Sequence, residues 1–364
     1  MIDPIAKLHS PAGTLLSVYV NRRIPATRAA LSEMLKPLRT VTRGRGSDKS
    51  IRTDCDRIIE TAARIDADTA PAVALFASHA DGIFEYLPLT GPVEDGATVG
   101  PRPHMRPLRA QPRPMRVGVL VADSNRTRTY VSSGGVLSEL GEELSTDPGK
   151  DNYGGFGGLE EHRNRARADE LSAKLWRQAG RRLLEAHQDQ PLEMIVIGGH
   201  DEAFDPIADQ LHAYLQQLPK GRIQVDPRTL SRAELAGMTG DVIARQRRRG
   251  EEALLERLLS DVDADGAAVS GVTAVLNACN AHAVDQIVIA GPYAKEGVLC
   301  DGCGWLGRTG SECPVCGAGL FAIDDVISAA MDATVEAGGR VAVVGVASRL
   351  DAVGVAAFTR FKLE

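Results

Sequence analysis

Four cysteines in two Cys-x-x-Cys pairs constrain this chain more than any other feature of it. Cys300 and Cys303 form the first pair, and Cys313 and Cys316 form the second after a gap of nine residues. Two pairs at this distance can place four thiolates around one tetrahedral Zn²⁺. The same segment carries glycines where the turns of such pairs need a positive φ. These are Gly302, Gly304, Gly310 and Gly317.

Two disulfides, or four thiols with no shared role, are the alternatives to a metal site. The spacing favours zinc, and nothing in the N-terminal sequence has the layout of a secretory signal. A segment of about 15 residues buries no core of its own, so the metal would hold it folded. Because four cysteines close the coordination shell and leave no position for a substrate, we expect a structural zinc ion rather than a catalytic one.

Composition limits the classes of protein to which the chain can belong. Its 364 residues predict two or three domains, and 43% apolar residues support real cores. The net charge of −6 excludes a general polycation, so contact with nucleic acid would need local basic surfaces. The two remaining cysteines, Cys55 and Cys279, fit buried free thiols in a reducing compartment. No apolar run reaches 18 residues, and we therefore expect a cytoplasmic protein without a membrane segment.

Alternating strand and helix patterns predict an α/β fold of three domains. We place them at residues 1–110, 115–227 and 230–364, with the four-cysteine insertion at 297–320 inside the third. The stretch from Gly91 to Pro114 is rich in proline, glycine and arginine, and is predicted to be a linker. The middle domain is expected to contain a mixed sheet, a glycine loop and a long basic helix.

Hydrophobic periodicity predicts the main elements of each domain. The strands are expected at 15–20, 72–78, 83–89, 116–123, 128–133, 194–199, 222–226, 286–291, 340–346 and 356–361. The helices are expected at about 26–38, 50–65, 160–187, 206–218, 231–260, 267–281 and 323–337.

A loop with four glycines in five positions precedes the long helix of the middle domain. Gly154, Gly155, Gly157 and Gly158 flank a single phenylalanine. The loop is not a phosphate-binding P-loop, since no Gly-Lys-Ser/Thr follows it, and it lacks the spacing of a dinucleotide fingerprint. Glycines allow the backbone to approach a partner closely. A disordered surface loop is the alternative interpretation.

Five basic residues lie on one face of the helix that follows the loop. At 100° per residue they fall within about 80° of one another, while Leu171, Leu175, Ala179 and Leu183 occupy an adjacent face that can pack on the sheet. Such a stripe, with a glycine loop at its tip, fits contact with the phosphate backbone of RNA. An ordinary solvated helix face is the alternative. The five residues are Arg163, Arg167, Lys174, Arg177 and Arg181.

Two further arginine groups offer RNA contacts of the same kind, with a solvent-facing surface as the alternative for both. The first lies on the long helix of the last domain and the second in the predicted linker. They are Arg245, Arg247, Arg248 and Arg249, and Arg102, Arg106, Arg109 and Arg113.

The order of these features resembles the archaeo-eukaryotic peptide-chain release factor superfamily. The resemblance rests on the glycine loop before a basic helix, on the four-cysteine segment at 291–317, and on the closing segment LDAVGVAAFTRF at 350–361. Its bacterial branch includes Pelota-like and Balon-like ribosome hibernation factors, with Vms-like peptidyl-tRNA hydrolases as cousins. The resemblance implies that the third domain is L7Ae-like and carries a zinc-ribbon insertion.

By the same resemblance the protein would be a monomer that binds the ribosomal A site. Its first domain would face the decoding centre, its glycine loop the rRNA of the peptidyl-transferase centre, and its third domain a translational GTPase. Release factors carry Gly-Gly-Gln in the loop, but here Leu159 follows Gly157 and Gly158. Leucine cannot orient a water molecule, so we expect hibernation or rescue without ester hydrolysis, and no catalytic residues.

Two other functions stay open at this stage. The first is a peptidyl-tRNA hydrolase or peptide-release enzyme on stalled ribosomes, in which Glu160 or His162 orients the water molecule. The second is an RNA- or protein-binding module unrelated to ribosomes.

Overall fold

The computed structural model of the protein describes residues 3–21, 28–41, 48–64, 72–89, 93–109, 114–146 and 159–363. The chain forms two compact units, one made of residues 1–112 together with 250–364 and the other of residues 113–249. Both units combine sheets with helices, so the predicted α/β class is confirmed. The division into three domains at 1–110, 115–227 and 230–364 stays a prediction.

The N-terminal part of the first unit is a four-stranded antiparallel sheet of order β3-β2-β1-β4. Its strands are β1 (Leu15–Asn21), β2 (Ala72–Ser78), β3 (Ile83–Leu89) and β4 (Gly96–Gly100), and its helices are α1 (Asp3–Ala6), α2 (Arg28–Val41), α3 (Asp48–Arg64) and α4 (Arg106–Arg109). Every residue of β2 is buried. One face of the sheet packs on α2 and α3, and the other packs on Ile5, Met105 and Leu108. A strand covered on both faces has a continuous apolar sequence, as AVALFAS does.

The predicted linker from Gly91 to Pro114 is wrong for residues 93–109, which form a strand and a helix. Strand β4 pairs with β1 along its whole length, and Val99 lies opposite Leu16. Helix α4 follows, and Met105 and Leu108 are buried in the core below the sheet. Proline and glycine are tolerated here because β4 lies at the edge of the sheet.

The second unit is built on a mixed sheet of order β10-β9-β5-β6-β7, with β8 paired to β6. Strands β5, β9 and β10 are parallel, whereas β6, β7 and β8 are antiparallel to their neighbours. The strands are β5 (Val117–Ala122), β6 (Arg126–Ser133), β7 (Val136–Glu139), β8 (Leu144–Ser145), β9 (Met194–Gly199) and β10 (Lys220–Gln224). The helices are α5 (Leu159–Asp189), α6 (Phe204–Asp209), α7 (Ala213–Gln216) and the first part of α8 (Arg232–Asp263).

The single helix predicted at 206–218 is wrong, because two short helices, α6 and α7, occupy this range. Helix α6 ends at Asp209, and His212 then adopts an extended conformation. Its side chain accepts a hydrogen bond from the Tyr214 backbone N–H, which caps the start of α7.

The C-terminal part of the first unit is a four-stranded sheet of order β11-β17-β12-β16 together with a small sheet of order β14-β13-β15. Its strands are β11 (Ala268–Ser270), β12 (Val284–Ala290), β13 (Gly297–Leu299), β14 (Leu306–Gly307), β15 (Phe321–Ile323), β16 (Arg340–Val344) and β17 (Val355–Thr359). Helices α9 (Val272–Asn280) and α10 (Val326–Glu336) cover one face, and the second part of α8 contributes to the other through Leu255 and Leu258. The helix predicted at 267–281 is therefore wrong at its start, where β11 pairs with β17 and Gly271, with φ +85°, separates strand from helix.

Among the described residues, no helix is both long enough and apolar enough to span a lipid bilayer.

Gly354 is required by two independent constraints. Its φ of +78° lies in the left-handed region, and a Cβ at this position would overlap the ring of Tyr293. The Gly354 carbonyl also accepts a hydrogen bond from the Ala290 N–H at the end of β12. Gly271 has a similar φ of +85°, but no atom lies within 4 Å of its virtual Cβ.

We expect Gly354→Ala to destabilise the first unit more than Gly271→Ala does. Both substitutions incur the strain of a left-handed alanine, about 1–2 kcal/mol. Only Gly354→Ala adds overpacking against Tyr293, roughly a further 1–3 kcal/mol. Thermal and urea unfolding of the two variants measure the difference, and equal losses would contradict this packing.

Candidate functional site

Helix α5 is fixed to the second unit by one apolar face. Leu175, Ala179 and Leu183 are buried in the core formed with β5 and β9, as their spacing predicts, whereas Leu171 of the same predicted face is only partly buried. Two polar side chains of the helix hold the turn after β5: Trp176 Nε1 donates to the Asp123 carbonyl at 3.1 Å, and Ser172 Oγ donates to the Ser124 carbonyl at 2.8 Å. At 31 residues the helix is about 46 Å long, so its opposite face presents an extended surface.

Four cations of the predicted stripe lie exposed on that surface. They form no ion pair, side-chain hydrogen bond or ring contact with the residues that the structure describes. Three other exposed arginines behave differently: Arg222, Arg340 and Arg349 are each paired with an aspartate. The charge of the stripe is thus free to meet an external anion. Its members are Arg167, Lys174, Arg177 and Arg181.

The rest of the predicted interface falls outside the described residues. This applies to Gly154, Gly155, Gly157 and Gly158, and to the side chain of Arg163. Leu159 is the first residue of α5.

The four predicted metal ligands are brought together. Cys300 Sγ lies 3.4 Å from Cys316 Sγ, and Cys303 Sγ lies 3.6 Å from Cys313 Sγ. All four Sγ atoms lie within 4.8 Å of one another. A tetrahedral zinc with bonds of about 2.3 Å separates its sulfur ligands by about 3.8 Å, whereas a disulfide has a bond of about 2.05 Å. The cluster therefore has the size and the donor chemistry of a four-thiolate metal site.

The two cysteine pairs have the same local backbone geometry. The Gly304 N–H donates to the Cys300 carbonyl at 2.8 Å, and the Gly317 N–H donates to the Cys313 carbonyl at 2.9 Å. These glycines have φ of +77° and +74°. Each pair is thus a tight turn that ends in a left-handed glycine. The expected positive φ is also found at Gly310 but not at Gly302.

The thiols of the cluster differ in acidity. Desolvation raises the pKa of Cys313, but hydrogen bonds from the backbone amides of Cys316 and Val315 and from the Cys303 and Cys300 thiols together lower it to about 7. At Cys303 the Trp305 amide acts to lower the pKa, but desolvation and the neighbouring thiols raise it to about 12. A metal ion must therefore displace protons from the less acidic thiols, and acidification weakens its binding.

The prediction that Arg106 and Arg109 lie in a linker and can contact RNA is wrong. Their side chains are only 10% exposed. Arg106 Nη1 donates to Asp325 at 2.9 Å, and Arg109 Nε lies 2.7 Å from Asp332. Sequence patterns offered no means of finding these pairs, because the partners are more than 200 residues apart.

Arg102 extends this group at the surface. Its guanidinium lies 3.6 Å from Asp301, which follows the first metal-ligand cysteine. We refer to the three pairs Arg102–Asp301, Arg106–Asp325 and Arg109–Asp332 as the arginine clasp. Arg113 lies outside the described residues.

Burial perturbs the acid–base behaviour of the clasp. Desolvation raises the pKa of Asp332 to about 7, although Arg109 acts to lower it. Desolvation lowers the pKa of His104, which lies on the segment between Arg102 and Arg106. Both shifts indicate that little water reaches this contact.

Comparison with protein families identifies the segment that carries α5. The family model described as bacterial archaeo-eukaryotic release factor family 10 matches residues 103–239. Over this segment the chain is similar to the bacterial branch of the archaeo-eukaryotic release factor superfamily. The match runs from the segment of the arginine clasp to the first part of α8, so it contains the whole mixed sheet and the basic stripe.

Three solved structures are similar to this chain. The archaeal translation termination factor aRF1 is 16% identical over 99% of this chain and 96% of its own, with a TM-score of 0.28. Pelota from Archaeoglobus fulgidus is 14% identical over 80% of each chain, with a TM-score of 0.38. Dom34 from S. cerevisiae, described as interacting with Hbs1, is 10% identical over 80% of this chain and 81% of its own, with a TM-score of 0.41. No curated protein matches the chain.

We expect protein purified under reducing conditions to contain about one metal ion per chain. Cys303→Ser should lose most of the metal, because the substitution removes one of the four ligands. Since Cys303 is exposed, the change costs little in packing. Cys55→Ser serves as the control, since Cys55 is a buried thiol outside the cluster. Elemental analysis of both variants measures the content, and metal retained in full by Cys303→Ser would contradict a four-cysteine site.

Proposed function

We propose that this protein is a cytoplasmic, ribosome-binding relative of release factors. It occupies the A site of idle or stalled ribosomes as a monomer and acts in hibernation or rescue without hydrolysing the peptidyl-tRNA ester. Its α5 stripe contacts rRNA, and the loop at Gly154–Gly158 reaches toward the peptidyl-transferase centre. A translational GTPase is the expected protein partner of the C-terminal part of the chain.

The observation that carries this proposal is the unpaired stripe on α5 within the segment that matches the family. From Arg167 to Arg181 the helix rises about 21 Å, which is long enough to follow several phosphates of an RNA strand. The opposite face is fixed to the sheet by the buried Leu175, Ala179 and Leu183. A rigid cationic edge loses little conformational entropy on binding, since the sheet already holds the helix.

The four-cysteine site contributes stability rather than chemistry in this proposal. Cys300, Cys303, Cys313 and Cys316 would hold a structural Zn²⁺ that keeps the two tight turns and the small sheet β14-β13-β15 folded. The Asn280 side chain joins this insertion to α9, since its amide donates to the Leu306 carbonyl at 2.8 Å and accepts from the Leu306 N–H at 2.9 Å. A surface presented to a protein partner would thus be fixed to the C-terminal core.

The absence of hydrolysis rests on the chemistry of Leu159. Release factors place a glutamine amide after the two glycines, and this amide orients the attacking water molecule. Leucine has no polar atom at the corresponding position, so neither the water molecule nor the developing charge is stabilised.

We expect the triple variant Lys174→Gln, Arg177→Gln and Arg181→Gln to bind ribosomes more weakly. Three lost phosphate contacts reduce the slope of log K against log salt concentration by about 2. Co-sedimentation with 70S ribosomes across a salt series measures both the affinity and the slope. Absence of binding by the natural protein at low salt would instead indicate an RNA- or protein-binding module unrelated to ribosomes.

A matched control removes three positive charges elsewhere. Arg340, Arg349 and Lys362 are exposed and form only surface ion pairs, so their replacement by glutamine costs little stability. This control should retain the natural salt slope. Equal losses in both triple variants would show that net charge alone governs binding and would exclude a specific role for α5.

We also expect the natural protein to leave peptidyl-tRNA intact on stalled ribosome–nascent-chain complexes. Leu159→Gln restores the glutamine and should raise peptide release above background. Release is scored by the loss of tRNA-linked peptide on a gel. The hydrolase alternative would be established instead if the natural protein released peptide and lost this activity on Glu160→Ala or His162→Ala.

A further inference from the structure

The arginine clasp joins the two sequence-distant parts of the first unit. Its arginines all lie on the segment 102–109, and its aspartates all lie in the C-terminal part of the chain. The three ion pairs of the clasp differ in how far they are buried. The side chains of Arg106 and Arg109 are only 10% exposed, whereas Arg102 and Asp301 are 43% and 30% exposed.

The two inner pairs act on helix α10. Asp325 accepts the Arg106 guanidinium and also caps the helix, since Oδ1 receives the backbone N–H groups of Ile327 and Ser328 at 3.1 and 3.2 Å. Arg106 Nη2 also donates to the Gly291 carbonyl at 3.2 Å. Asp332 lies about two turns further along the helix. The inner pairs thus hold the segment 102–109 along α10 without any contribution from the cysteines.

The outer pair, Arg102–Asp301, is positioned by the first cysteine turn rather than by α10. Asp301 lies between Cys300 and Cys303, in the tight turn closed by the hydrogen bond from the Gly304 N–H to the Cys300 carbonyl. Its carboxylate contacts two groups of the N-terminal part: Oδ2 is hydrogen-bonded to His9 Nε2 at 3.2 Å, and Oδ1 lies 3.6 Å from Arg102 Nη2, the distance of an ion pair. The position of this carboxylate is therefore set by the same turn that positions two metal ligands.

We propose that the clasp is linked to the metal: occupancy of the four-cysteine site closes its outer pair, and loss of the metal opens that pair. The inference rests on the metal site proposed above and is independent of ribosome binding. With the metal bound, the Cys300 turn is rigid and Asp301 is held toward His9 and Arg102. Without it, the short turn has no core to hold its shape, and Asp301 loses its fixed position.

Electrostatics acts in the same direction. Four thiolates around a divalent ion carry a net charge of about −2, and Asp301 adds a further negative charge. Arg102 thus faces a more negative surface in the loaded state than beside the metal-free cluster. Linkage makes the effect reciprocal, so His9 and Arg102 raise the metal affinity by the same factor by which the metal stabilises the clasp.

Amide hydrogen exchange on the full chain tests the proposal. Metal loading is first verified by elemental analysis, and the metal is then removed with a chelator under reducing conditions. We expect exchange across residues 96–109 to become about two- to fivefold faster, the range expected of a partly exposed ion pair. Peptides of β9 and β10 in the second unit are internal references and should not change.

Asp301→Asn separates the clasp from general unfolding of the metal-free protein. This variant keeps all four cysteines and should bind metal, yet its 96–109 exchange in the loaded state should already match that of the metal-free natural protein. Removing its metal should then add little. Arg340→Gln, which breaks the surface pair with Asp285, is the matched control and should behave as the natural protein does.

A second experiment measures the rate of metal release and so tests the reciprocal effect of Arg102 on the metal. Arg102→Gln should transfer its metal to a chromogenic chelator about two- to fivefold faster than the natural protein or Arg340→Gln does. The inference is overturned if metal removal leaves exchange at 96–109 unchanged, or if Asp301→Asn responds to metal removal as strongly as the natural protein. A natural protein that binds no metal would refute the metal site itself, and with it the linkage, while leaving ribosome binding to its own test.

Discussion

A buried guanidinium must keep a partner, and this constraint organises the first unit. Removing Arg106 from water is costly unless a carboxylate compensates its charge. Asp325 does so and caps α10 with its other oxygen. One carboxylate therefore determines both where a helix begins and where a segment 219 residues earlier in the chain must lie. The two ends of the sequence belong to one compact unit, while residues 113–249 form their own.

Local patterns predicted the features that depend on local chemistry. The apolar run of β2, the long helix α5 and the two cysteine pairs all follow from spacings within a few residues. The buried and exposed faces of α5 follow from the same periodicity, since Leu175 and Ala179 pack inward while Lys174 and Arg177 face solvent. The exposed cationic face of α5 and the four-cysteine cluster could thus be predicted from the sequence.

Errors arose where distant contacts override composition. The segment 93–109 has the proline and glycine content of a linker, yet β1 provides a strand edge that pairs with β4. Its arginines were read as a solvent-facing or RNA-binding group because their aspartates lie far away in the chain. Gly271 separates β11 from α9. The hydrophobic pattern of residues 267–281 nevertheless predicts one continuous helix, because the pairing of β11 with β17 is not visible in it. In each case the deciding partner lies beyond the range of a periodic pattern.

The separation of 219 residues between Arg106 and Asp325 has a consequence for the newly made chain. At about 5–20 residues per second, synthesis continues for roughly 10–45 seconds after Arg106 is added before its carboxylate exists. The unit of residues 113–249 can complete its own core in that time. Arg106 and Arg109 stay unpaired until Asp325 and Asp332 have been synthesised. The C-terminal part thus completes the contacts of the segment 102–109, and a chain truncated before Asp325 would leave Arg106 and Arg109 without their carboxylate partners.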